Sequence, residues 1–305
     1  MARTARLNKR YTPSGEQVEL AHGDQRVVVV EVGGGLREYT AGRRAVLDGY
    51  GEDELCSSGR GQLLIPWPNR VADGRYEFDG RAEQLPLDEP ERGNAIHGLV
   101  RWETWEVAER HPDRVVMAHL LHPRPGYPFT LALRVEYALA GDGLTVRTEA
   151  TNVGAEACPY GAGAHPYLAV ADGSVDELTL TVPAGSVLES DDRGLPVSVR
   201  HVEGTEFDFR SPKQVGGLRL DHCFTDLSRE EDGRARVRLG NGTSLWADRS
   251  FDYLMVFTGD ALPDVDRQSL AVEPMTCPPN AFRSGEGLAR LEPGETHTAT
   301  WGLSV

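Results

Sequence analysis

The chain has 305 residues, room for one large all-β or α/β domain or two of ordinary size, and enough to bury a core without disulfide or metal staples. With 32 Lys+Arg against 47 Asp+Glu the formal net charge is −15, which repels phosphate backbones and anionic lipid and argues against nucleic-acid and membrane partners. Its 34 Gly and 19 Pro are spread along the chain rather than gathered in one tract, as expected of many turns joining short elements.

The first ten residues carry Arg3, Arg6, Lys9 and Arg10 and no acid. No apolar region follows, so residues 1–12 read as a frayed basic tail and not as a secretory signal. No stretch approaches the ~20 apolar residues of a membrane helix. Cys56, Cys158, Cys223 and Cys277 lie far apart without a CxxC, and reduced thiols in a cytoplasmic protein are the economical reading.

Short apolar alternation followed by a turn is the dominant local pattern. Val27 through Val32 is β-branched and stops at Gly33-Gly34-Gly35. Arg75 through Phe78 meets Asp79-Gly80 and returns through Arg81 to Leu85, a hairpin signature. The stretch Leu99 through His111 fits a strand at least as well as a helix. Leu131 through Leu139 alternates, turns at Gly141-Asp142-Gly143 and returns to Thr151. Leu218 through Asp232 allows a turn or two of helix. Arg236 through Leu239 turns at Asn241-Gly242 and returns through Ala247, and Tyr253 through Phe257 reads as a strand buried on both faces. No linker or composition shift interrupts residues 13–305, which predicts a large antiparallel sandwich or barrel in one domain.

Several motifs fail on inspection. Gly33-Gly34-Gly35 has Glu at position 38 and no helix after it, so a turn explains it better than a nucleotide site. Nine histidines without i,i+4 helical pairing argue against a metal site.

Four segments place polar chemistry beside stiff backbone. Pro66-Trp67-Pro68-Asn69-Arg70 presents an amide and a guanidinium from a rigid loop; taken alone, a connector with a surface Arg explains it as well. Asn94-Ala95-Ile96-His97-Gly98 sets a His before a Gly, with a satisfied loop histidine as the bland reading. In Gly161 through His165 small residues either leave room for a ligand or mark a tight strand crossing, and Pro166 favours an extended His165. In Ala271-Val272-Glu273-Pro274 a carboxylate follows apolar residues. If it points into a pocket, desolvation raises its pKa, as a general base near neutral pH requires; a strand-end ion pair is the alternative. Asp221-His222-Cys223-Phe224 is a fifth, weaker candidate. A Glu and a His on separate strands suit the opening of a cyclic hemiacetal, which needs a proton taken from the anomeric hydroxyl and another given to the ring oxygen, with no hydride, metal or covalent intermediate.

The sequence resembles the aldose 1-epimerase (mutarotase) family from about Val27 to Ala299. Its most specific pieces are Asn69 through Tyr76, Asn94 through Gly98, His165-Pro166-Tyr167, Asp221 through Phe224 and Glu273-Pro274, in the family's order. The resemblance implies an all-β antiparallel supersandwich and a cofactor-independent isomerase. It implies Glu273 as general base, His165 as general acid, His97 at the ring oxygen or the sugar, and Arg70 and Asp221 on sugar hydroxyls. Asn69 and Trp102 complete the expected binding set; Trp67 and Trp102 are each as readily core residues as sugar platforms.

Gly98-Leu99, Tyr167-Leu168 and the run Met275 through Asn280 depart from the galactose-type pattern. They resemble a bacterial side branch with sulfoquinovose mutarotase-like members. A phosphate or sulfonate on the sugar would want a further cation, for which Arg70 and Arg101 are the candidates. A non-catalytic carbohydrate-binding module and a glycoside hydrolase using Asp221 as second carboxylate are the competing readings.

Overall fold

The structure, a computed structural model, describes residues 12–170, 173–260, 262–263 and 265–305. Apart from Thr12, the expected basic tail lies outside the described residues.

Strict alternation builds the scaffold. Along Leu131–Ala140 every second residue is buried, and Gly143–Asn152 runs back beside it in unbroken register, Leu131 opposite Asn152 and Ala140 opposite Gly143. This hairpin sits inside a nine-stranded antiparallel sheet that also takes in Arg114–Leu121, Thr296–Ser304, Ser244–Ala247 and Ala235–Leu239. A second large sheet orders Pro196–His201, Ala184–Ser190, Asp221–Leu227, Tyr253–Phe257, Ser269–Met275, Gly163–Ala164 and Leu63–Leu64, with Tyr167–Ala169 pairing to Ser269–Met275 off that path. Val135, Tyr137, Val146, Leu245 and Trp301 of the first sheet share one core with Leu254, Val256, Leu270 and Val272 of the second. This face-to-face packing is the all-β antiparallel supersandwich that the sequence led us to expect.

The other face of the second sheet positions the site. Leu188 lies opposite Cys223, Cys223 opposite Met255, and Met255 opposite Glu273. Side chains on a strand alternate, so this row points away from the main core. Leu188, Cys223, Tyr253, Met255 and Met275 form a separate buried apolar cluster there. Glu273 projects beside it.

Two expectations need correction. The helix allowed over 218–232 is instead the strand Asp221–Leu227, because pairing on both sides, with Ala184–Ser190 and Tyr253–Phe257, outweighs the local pattern. Of the stretch 99–111 only Glu106–Arg110 is a strand, an exposed edge, while its first residues make turns. Among the described residues helix is confined to Ala281–Ser284 and a single 3₁₀ turn, Val175–Glu177. All four cysteines are free thiols. Among the described residues no helix is long and apolar enough to cross a membrane.

Leu245 is wholly buried where Ser244–Ala247 pairs with Thr296–Ser304 in the first sheet. Leu245→Ala is expected to cost about 2–5 kcal/mol of unfolding free energy, read from the urea midpoint at an unchanged denaturant slope.

Candidate active site

Four segments bring the expected residues together. Glu273 is 2% exposed on the central strand Ser269–Met275, and His165 is 5% exposed in the link between Gly163–Ala164 and Tyr167–Ala169, which both pair with that strand. His165 Nε2 stands 3.4 Å from Glu273 Oε1. The imidazole is stacked on Tyr167 at 4.9 Å and 8°, and Tyr167 is anchored by its hydroxyl donating to the carbonyl of Ser58 at 3.0 Å. Gly59 presses on the ring; a Cβ there would come within 2.9 Å of Cδ2.

The small residues before His165 serve strand packing and not ligand space. A Cβ on Gly161 would lie 2.4 Å from Cys277 Sγ, and one on Gly163 2.9 Å from Pro68 Cβ. The tight crossing is the reading the structure supports.

His97 and Asn69 are locked to each other. Both have left-handed backbone, φ 61° and 54°. His97 N–H donates to the carbonyl of Asn69 at 2.9 Å, and Asn69 N–H donates to His97 Nδ1 at 3.2 Å. Gly98 continues the turn with φ 72° against Ile65, where a Cβ would meet the carbonyl oxygen at 2.1 Å, so only glycine fits. The two histidine rings meet edge to face at 5.3 Å.

Arg70, 8% exposed, donates from Nε and Nη2 to the carboxylate of Glu89 at 2.9 to 3.2 Å. Burial works against both charges, yet these hydrogen bonds prevail, holding Arg70 above the ordinary guanidinium value and Glu89 below the ordinary carboxylate one. Arg101 Nη2 donates to Asp88 Oδ2 at 2.8 Å. Asp221 is more open; Arg92 Nη1 stands 4.0 Å from it. Trp102 is 51% exposed and is not drawn into this network, while Trp67 is buried against Phe282 at 5.3 Å, a core residue. Glu89 and Asp88 were not legible in the sequence: they stand in a loop between Pro86 and Pro90 with no motif.

Electrostatics separate the two central groups. Burial, reinforced by the charge of Asp221, pushes the Glu273 carboxyl well above its usual range, with Arg70 pulling the other way. Burial, with Arg101 and Arg70 adding to it, brings His165 down to about 3, and burial likewise lowers His97. The imidazoles are therefore neutral and the carboxyl holds its proton to higher pH. Glu273 Oε2 and His165 Nδ1 are buried and make no hydrogen bond among the described residues.

His97, His165 and Glu273 offer donor atoms within 4.8 Å of one another, a spacing at which a divalent ion also becomes conceivable. The tautomer of His97 works against it. Its Nδ1 accepts from Asn69, so the neutral ring carries its proton on Nε2 and presents a donor there, not a lone pair.

A model of the aldose 1-epimerase family matches residues 16–304. The uncharacterized protein YihR of Escherichia coli is 39% identical over 286 residues, 93% of this chain and 91% of that protein. The galactose mutarotase of Rattus norvegicus is 32% identical over 156 residues, 48% of this chain and 44% of that protein. Among solved structures, an aldose epimerase homologue from C. elegans superposes with a TM-score of 0.85 at 19% identity, covering 95% of this chain and 98% of its own, a likeness of fold. With the family match running almost end to end over the sandwich just described, the chain belongs to the aldose 1-epimerase family and is an isomerase.

Proposed function

We propose that the protein interconverts the α and β anomers of a free aldohexose or related sugar by general acid–base ring opening. The observation that carries this reading is the buried Glu273–His165 contact at 3.4 Å. The two oxygens that must exchange protons, O1 and the ring oxygen, are bonded to one carbon. Base and acid must therefore converge within a few ångströms, as these two do. Glu273 takes the proton of the anomeric hydroxyl while His165 gives one to the ring oxygen. The bond between C1 and the ring oxygen breaks as the C1 carbonyl forms. The aldehyde rotates about C1–C2, and the reverse transfers close the ring on its other face. His97 offers its Nε2–H to the sugar; Arg70, Asp221 and Asn69 hold hydroxyls, with Trp102 the most peripheral of the set.

Ring opening needs one proton on the pair, with Glu273 ionised and His165 charged. In the sugar-free protein that proton rests on the carboxyl. The two arrangements have the same proton count, so pH does not choose between them; the bound sugar does. An uncharged aldose is the plainest substrate. A hexose bearing a phosphate or sulfonate is the alternative favoured by the bacterial side branch and by Arg92 beside Asp221. The test is NMR of freshly dissolved single anomers of glucose, galactose, their 6-phosphates and sulfoquinovose with purified protein. Exchange no faster than the buffer blank with all of them would overturn the proposal, and binding without exchange would favour a carbohydrate-binding module.

Glu273→Gln should lower the exchange rate by roughly 10²–10⁴-fold at unchanged circular dichroism; wild-type turnover in that variant would remove Glu273 from the base role.

The pH profile should be lost chiefly on the alkaline side. Two protons on the pair are reached only below the lowered value of His165, about 3, and none only above the raised value of Glu273. The high-pH limb of kcat/KM then reports the carboxyl, and a limb at the ordinary carboxylate value would contradict this account.

Stability should follow the same group. A carboxyl whose folded pKa is raised contributes stability that is complete below its unfolded pKa, about 4.3, and is lost as pH rises through the folded value. Glu273→Gln should therefore melt above wild type at about pH 8, with the gap closing toward pH 4. Calorimetric scans at both pH values check it.

A further inference from the structure

Arg70 follows Asn69, which is bonded to His97 of the cluster around Glu273, and its charge acts on that carboxyl; the structure shows what restrains it. Its guanidinium is engaged by both oxygens of Glu89 along one edge. Glu89 is itself fixed: Asn94 Nδ2 donates to its Oε2 at 2.8 Å, and the two backbones exchange hydrogen bonds of 3.1 Å each way. The side chains of this pair are only 10% and 15% exposed. On the remaining arm, Gly194 closes in so far that a Cβ would stand 2.7 Å from Nη1. The loop that carries Gly194 is tied down by Asp191 Oδ1, which accepts from Arg193 N–H and Leu195 N–H at 2.9 Å each, and by Asn94 Nδ2 donating to the carbonyl of Arg193 at 3.0 Å.

We infer that Glu89 is a positioning residue for the reaction: by locking and neutralising Arg70 it keeps that guanidinium off the base Glu273, so that the carboxylate remains available to the anomeric hydroxyl. The inference deepens the epimerase reading and rests on it for the roles of Arg70 and Glu273.

The groups that face Glu273 define what happens without Glu89. His165 stands 3.4 Å away and His97 closes a cluster with both within 4.8 Å, while among the described residues Asp221, Tyr167, Cys223 and Arg70 are the further groups whose charge or titration couples to Glu273. Arg70 is the only cation among them. Released from Glu89, it either turns to Glu273 directly or pairs with Asp221. The first course stabilises the Glu273 carboxylate. The second cancels the negative charge that opposes its ionisation. Leaving Arg70 in place but unneutralised has the same sign. Every course makes Glu273 a weaker base.

The experiment titrates Glu273 by NMR in protein labelled with ¹³C at the glutamate carboxyl, its resonance assigned by disappearance in Glu273→Gln. In Glu89→Gln the midpoint should fall by about one pH unit or more relative to wild type, and the alkaline limb of kcat/KM should move down with it. Glu89→Asp withdraws the carboxylate by one methylene and should show a smaller fall in the same direction; it carries the test alone if Glu89→Gln does not fold. A midpoint that stays at or rises above the wild-type value in the folded variant overturns the inference, because a merely structural role would lower activity and leave the titration in place. The titration needs no turnover, so the two readings fail separately. An inactive wild type with a shifted midpoint sinks the epimerase function and leaves the restraint of Arg70 standing. An active wild type with an unshifted midpoint sinks the restraint alone.

Discussion

A carboxyl group kept out of water beside a neutral imidazole is the constraint around which this molecule is arranged. Burying Glu273 works against its ionisation, and the sheet does so deliberately, by strand alternation. Val272 faces the shared core, and its neighbour Glu273 must then face the other way, in line with Met255 and Cys223. A carboxylate in that row has thioether and thiol for company on the sheet. Its polar partners come from outside the sheet, on the segments that carry Arg70 and His97.

Such an arrangement asks the remainder of the chain for surplus stability. The two large sheets supply it through a continuous core in which Tyr137, Val146, Leu245 and Trp301 are almost wholly buried. The site's own geometry is bought back locally with backbone positions that few residues tolerate: Asn69, His97 and Gly98 all lie in the left-handed region within two facing segments. Their reciprocal hydrogen bonds make His97 a donor of fixed direction and tautomer. Rigidity and buried polarity thus meet in the same short segments.

What was legible in the sequence follows the same physics. Hairpins with strong turns, such as Arg75–Phe78 with Arg81–Gln84, announced themselves because alternation and Asp79-Gly80 are local signals. Glu273 and His165 stood out as polar residues between apolar neighbours and a following proline, and both are buried, Glu273 on a strand and His165 in the link beside it. The strand Asp221–Leu227 did not show, because what fixes it is pairing with two partners distant in sequence. Glu89 was invisible for a related reason: nothing in a proline-bounded acidic loop reveals that one carboxylate folds inward on an arginine nineteen residues earlier. The glycines before His165 were ambiguous, since space for a ligand and space for a crossing strand use the same residues; only Pro68 and Cys277 at contact distance decide it.

Asp88 and Glu89 are consecutive, yet they hold different arginines, Arg101 and Arg70, each of which acts on the histidines of the site. One surface excursion between two prolines therefore holds both arginines from the rim, while Glu273 stays on the sheet and His165 in the link beside it. A change confined to this loop would give Arg70 and Arg101 other partners while leaving untouched the strand that carries Glu273.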